Sequence, residues 1–226
     1  MARFDLTEPD RKRIADAVAA AEAHTSGEIV TVLATSSDSY EDVALLWSAL
    51  VALLALAALS YAPHFYLRLI DQLTQSWDTH WHAGSLFALA TFVATLKFLG
   101  SWLILQWRAL RLALTPGALK HARVRARAIA CYHLGAEKRT SAGTGVLVYL
   151  SRAERRAEIV TDPAVTAAIP PVEWGKAMHA MVSHIGDGRV ADGMIEAIGQ
   201  IGAILACHFP RESHDVNELP DRVIEV

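Results

Sequence analysis

Glu28, Asp162 and Asp187 fall at the ends of predicted strands or in turns, where carboxylates from separate segments can converge. Converging carboxylates would hold a divalent cation and activate water for hydrolysis. Each residue also has a plain structural role. Glu28 opens a strand edge, Asp162 precedes Pro163 as a helix N-cap, and Asp187 lies in a Gly186-Asp187-Gly188 turn. An aspartate at an N-cap satisfies free N–H groups without any chemistry. His208, His214 and Asp215 carry ligating atoms too, but their spacing fits no zinc pattern, so no metal site is assigned. His121 and His133 lie twelve apart and share no adjacent helical turn. No GxSxG, HExxH, Walker A or GxGxxG stretch occurs, and no catalytic residue is assigned.

Lys97 is a candidate of another kind, because it lies near the middle of a long apolar run. A lysine at the centre of a membrane span costs about 2.5–3.5 kcal/mol on insertion scales. Two readings stand side by side. Lys97 makes a contact with a second subunit or an anionic ligand, or its ammonium snorkels to the surface or sits beside a thinned bilayer.

The apolar residues explain why Lys97 is unusual. They make up 53% of the 226 residues, and the surplus sits mainly between Val43 and Trp107. Residues 43–62 carry no charge and are long enough to cross a hydrocarbon core of about 30 Å. Residues 84–107 are long enough to span with some tilt. Trp47, Tyr61, Trp102 and Trp107 lie near the ends, where amphipathic rings favour the interface. Between the runs, Tyr66, Ile70, Leu73, Trp77 and Trp81 recur at helical spacing, with Asp71, Gln72, Gln75 and Asp78 around them. That pattern predicts a short amphipathic helix on the far membrane surface within 63–83.

Charge sets the orientation. Arg108, Arg111, Lys120, Arg123, Arg125 and Arg127 follow the second run, whereas the loop between the runs carries only Arg68. The positive-inside rule then expects a multi-pass protein of the cell inner membrane with both termini cytoplasmic. The basic run can also touch anionic headgroups. The net charge of −3 and the absence of aromatic or glycine patterning beside the run argue against nucleic acid. The N-terminus lacks an apolar signal core. Cys131 and Cys207 sit in apolar, helix-like surroundings and give no disulfide framework.

The flanks read as a soluble α/β domain. Thr7-Glu8-Pro9-Asp10 starts a helix that carries Ile14, Val18 and Ala21 on one face and ends at Gly27. Residues 28–34 (EIVTVLA) read as a strand. Thr115-Pro116 opens a second helix running to about Leu134. Residues 144–151 and 156–161 read as a strand pair, the first apolar enough to be covered on both faces. Asp162-Pro163 starts a short helix. Residues 172–185 and 190–209 are longer ones, and 211–226 form a polar tail. A lone strand at 28–34 has open edges, so strands from both sides of the apolar insertion are expected in one sheet.

GEIVTVL, His133-Leu134-Gly135, TGVLVYLSRAERRAEIVTD, IPPVEWGKAM and GDGRVADGMIEAI together resemble the TPM domain family, in family order. The resemblance is to a bacterial branch in which a transmembrane hairpin interrupts the domain after the first strand. It implies a small α/β/α sandwich formed by 1–42 and 115–210. It also associates some members with acid phosphatase activity, some with divalent cations and some with photosystem II maintenance. After the third strand the family often has a glycine-rich turn and an acidic residue, where this chain has Thr161-Asp162-Pro163. The expectation is therefore a membrane-proximal binding, assembly or maintenance module. Its partners would be the lipid bilayer and a membrane protein or a second copy, with no cofactor assigned beyond the divalent cation the resemblance allows. A metal-assisted phosphatase and a small transporter or channel subunit are the alternatives.

Overall fold

A computed structural model describes residues 6–74, 82–135, 143–186, 188–211 and 222–226. The described elements are α1 (Glu8–Glu22), β1 (Glu28–Ala34), α2 (Glu41–Tyr61), α3 (Pro63–Thr74), α4 (Ala83–Ile104), α5 (Arg108–Leu114), α6 (Gly117–Gly135), β2 (Gly145–Ser151), β3 (Arg156–Thr161), α7 (Pro163–Ala168), α8 (Pro171–Gly186), α9 (Val190–His208) and β4 (Ile224–Glu225). The chain divides into two compact units, one made of 1–39 and 117–226, the other of 40–116.

The first unit is mixed α/β. Its helix α1 begins as the residues dictate. Thr7 accepts a hydrogen bond from the Asp10 N–H, and Asp10 reaches back to the Thr7 N–H, which satisfies two free donors at once. The helix stops at Glu22 rather than near Gly27, because Thr25 turns away. Its hydroxyl donates to the Phe209 carbonyl (2.6 Å) and accepts from the Gly27 N–H (3.0 Å).

The sheet has the order β3-β2-β1-β4. β1 and β2 run parallel over seven residue pairs, from Glu28↔Gly145 to Ala34↔Ser151. β3 returns antiparallel to β2. The strands on either side of the apolar insertion are thus neighbours in one sheet, as a lone β1 required. Every residue of β1 and β2 is buried, so both faces are covered. Val30, Val32, Leu147 and Tyr149 pack under Val124, Ala128 and Tyr132 of α6. Ile29, Leu33, Val146, Val148 and Leu150 face the larger core with α1, α7, α8 and α9. Within α8, Trp174, Met181 and Ile185 are buried at helical spacing.

One correction concerns the tail. The reading of 211–226 as a polar tail misses β4, whose Ile224 and Glu225 pair with Val32 and Leu33. The Thr35 N–H donates to the Val226 carbonyl (2.8 Å), and the Val226 N–H to Leu33 (3.1 Å), so the last residues cover the free edge of β1.

The second unit is helical. α2 begins at Glu41, and its first turn holds Glu41 and Asp42, the favourable sign at a helix N-terminus. α2 and α4 pack on each other. Pro63 opens α3, and the amphipathic segment is helical as far as Thr74; Gln75, Trp77, Asp78 and Trp81 lie outside the described residues. The second apolar run ends as a helix at Ile104, three residues before Trp107, and a separate helix α5 follows. Residue types gave no warning of this break, since 105–107 contain neither glycine nor proline. The Thr115 hydroxyl donates to the Arg111 carbonyl (2.8 Å), so Thr115 closes α5 instead of opening α6.

Candidate functional site

Glu28 and Asp162 come together at one end of the sheet, on either side of Gly145. Glu28 is the register partner of Gly145 on β1. Asp162 follows β3, and its N–H donates to the Gly145 carbonyl (3.0 Å). The Asp162 carboxylate accepts the Gly145 N–H in return (2.8 Å). Asp162 does stand at the N-cap position of α7, but its side chain makes no capping bond there. The carboxylate instead ties the end of β3 to the start of β2. Both acids are buried. Asp187 lies outside the described residues, as do His214 and Asp215. His208 approaches Glu173 (3.7 Å). No group of three or more His, Cys, Asp or Glu side chains suited to a metal ion is found among the described residues.

A second polar cluster lies at the opposite end of β1 and β2, and the sequence reading missed it. The Glu154 carboxylate, in the β2–β3 turn, accepts the Ser37 N–H (3.1 Å), the Ser36 hydroxyl (3.1 Å) and the Ser151 hydroxyl. The turn also extends the pairing of β1, since the Arg152 and Ala153 N–H groups donate to Ala34 and Thr35. Arg155 completes the turn at φ +51°, a left-handed conformation that costs a non-glycine residue about 1 kcal/mol or more. The Ser37 hydroxyl pairs with the Tyr149 phenol (3.0 Å). Burial pushes the Tyr149 phenol above its usual pKa, outweighing the hydrogen bond from Ser37 that pulls the other way. Burial likewise pushes the Cys131 thiol up.

The face under α6 carries one further buried acid. Glu158 of β3 meets the His121 imidazole (3.0 Å) and the Arg125 guanidinium (3.7 Å). Arg123 pairs with Asp38 (2.9 Å). Part of the basic run is therefore spent on carboxylates of the same unit. Alternation along β3 was the available signal: Arg156, Glu158 and Val160 share one face, so a charge at 158 had to meet α6.

In the second unit, Lys97 is exposed on α4. Among the described residues no side chain pairs with its ammonium. Its carbonyl accepts the Ser101 hydroxyl (2.6 Å). Phe92, Leu96 and Leu99 of the same helix are exposed as well.

Fold and site define a small mixed α/β module whose buried carboxylates hold strand ends and turns in place, with an apolar helical insertion after its first strand. The TPM domain family model matches residues 120–204, from α6 into α9, so the chain carries a TPM domain. A similar solved structure is the NMR structure of the BA42 protein from the psychrophilic bacteria Bizionia argentinensis sp. nov.. It agrees at a TM-score of 0.57 with 18% sequence identity, covering 100% of each chain. At that identity the likeness concerns the fold. No match is found among curated proteins.

Proposed function

We propose that α2 and α4 cross the bilayer as a hairpin. The TPM domain then serves as a membrane-proximal binding, assembly or maintenance module for a membrane protein partner. One observation carries the reading. Apart from the stripe where each packs on the other, the two helices, of 21 and 22 residues, expose apolar side chains; Leu46 is 70% exposed and Phe87 75%. At 1.5 Å per residue each is about 32 Å long, the thickness of a hydrocarbon core. α9 is also long and apolar enough to cross a membrane, but half of its most apolar stretch is buried in the first unit. It also carries Asp192 and Glu196, charges that the other two helices lack after the first turn of α2, apart from Lys97.

Pairing of β1 with β2 supports an even number of crossings, because both ends of the insertion must return to one sheet. Arg108 and Arg111 after α4 favour the cytoplasmic side for that sheet, in the inner membrane. Two tethers would hold the domain close to the bilayer, which favours a membrane-bound partner over a diffusible substrate. The buried carboxylates point the same way. Glu154 accepts from three donors and Asp162 spends an oxygen on Gly145, so their visible work is structural. Cross-linking the full-length protein in cells and identifying its neighbours tests the reading. A reproducible membrane protein neighbour is expected; a protein that reaches no other membrane protein contradicts it.

A further inference from the structure

Lys97 is the only charged residue in the two apolar runs 43–62 and 84–107, which contain no acid. Resting on the reading that α4 spans the bilayer, we infer that Lys97 docks against a membrane-spanning helix of a different protein. That helix carries an aspartate or glutamate at the matching depth.

Depth is the first argument. Lys97 stands seven residues before Ile104, about 10 Å from the end of α4, and fourteen residues, about 21 Å, from Ala83. Side chains on a helix lean toward its N-terminus. The ammonium is therefore carried away from the nearer end of α4 and deeper into the span. Snorkelling to the nearer surface runs against that direction, and the farther surface is out of reach.

Placement is the second argument. Val93, Ala94 and Ser101, three or four residues from Lys97, are half-buried, whereas Lys97 is exposed. The lysine thus emerges beside the packed part of α4 instead of being enclosed by α2. No described side chain neutralises it. An intramembrane cation calls for an anion on whatever covers it.

Charge complementarity then selects the occupant. A second copy would bring another Lys97 and no carboxylate within its spans, and like charges in a low dielectric repel. A partner helix with a carboxylate at that depth satisfies the lysine and gains specificity from the pair.

The test uses the full-length protein in its native membranes. A photoreactive residue is placed at Gly100, where an added Cβ meets nothing within 4 Å. The expected product is a cross-link to one other protein, in a membrane-spanning peptide that contains Asp or Glu. Lys97→Leu should lower its yield by roughly tenfold or more. Lys97→Asp should abolish it, and changing the partner's acid to lysine should restore it. Cross-links only to a second copy, only to lipid, or to a helix without an acid overturn the inference. So does an unchanged yield in Lys97→Leu. Alkaline carbonate extraction of the same membranes separates the two levels. A released protein overturns the span itself and the pairing with it, whereas a retained protein with no rescue overturns the pairing alone.

Discussion

Glu154→Ala tests the cluster that fixes the exit of β1. Glu154 is 7% exposed, and its carboxylate accepts from Ser36, Ser37 and Ser151. The two serine hydroxyls can rotate to other acceptors, and that of Ser36 already reaches the Asp38 carbonyl (2.8 Å). The Ser37 N–H cannot rotate. Losing its acceptor costs about 1–3 kcal/mol, and losing the charge assistance of the hydroxyl bonds adds to this. A total of about 2–3 kcal/mol is expected. For a unit of this size each kcal/mol lowers Tm by about 2–4 °C, so the loss is about 4–12 °C. The assay is thermal unfolding of the full-length protein in detergent, with hydrogen exchange of residues 35–39 alongside. Exchange there should accelerate in Glu154→Ala and much less in Glu154→Gln, which keeps one acceptor. Glu196→Ala, at an exposed position on α9, is the control and should change stability by less than about 0.5 kcal/mol. A Tm for Glu154→Ala within about 1 °C of the parent, with unchanged exchange, would mean that the carboxylate does not hold the exit of β1.

Other outcomes follow from the same contacts. At Gly202 an added Cβ lies 2.6 Å from the Ala21 Cβ, and at Gly193 it lies 2.8 Å from the Met181 carbonyl oxygen. Gly202→Ala and Gly193→Ala should each destabilise by about 1–3 kcal/mol in denaturant unfolding, despite the better helix propensity of alanine. Asp162→Ala strands the buried Gly145 N–H and should cost about 1–3 kcal/mol, with Asp162→Asn milder; equal effects would mean that the hydrogen bond is not what matters. The Tyr149 phenol is held protonated by burial, so its contribution is fully present below the ordinary tyrosine pKa of about 10 and is lost as pH rises through its raised folded value. Stability of the parent measured from pH 9 upward should fall through that range, and Tyr149→Phe should flatten the fall.

The periodic segments were legible because periodicity reports which face meets a core. β1 and β3 occupy the expected residues, and α1 carries its cap at Thr7. The sharing of one sheet by β1 and β2 also followed from the sequence, since a single strand leaves both edges open. What could not be read depends on partners distant in the chain. β4 is two residues long and is a strand only because the edge of β1 is beside it. Asp162 looks like an N-cap by local rules, yet a cross-strand donor takes its carboxylate. Glu154 sits in a run of charged residues that gives no hint of Ser36 and Ser37, which it collects from 118 and 117 residues earlier. Hydropathy alone also groups α9 with α2 and α4; its two acids and its buried face separate it.

The proposed hairpin crosses the membrane twice and leaves the TPM domain on the cytoplasmic side. The most direct measurement labels cysteines in intact cells with a membrane-impermeant maleimide. One cysteine is introduced at His64, at the start of α3, and the exposed native Cys207 reports on the domain. Position 64 should react in intact cells, and Cys207 only after the membrane is permeabilised. Labelling of Cys207 from outside, or protection of both positions in a protein that alkaline carbonate releases, would contradict it.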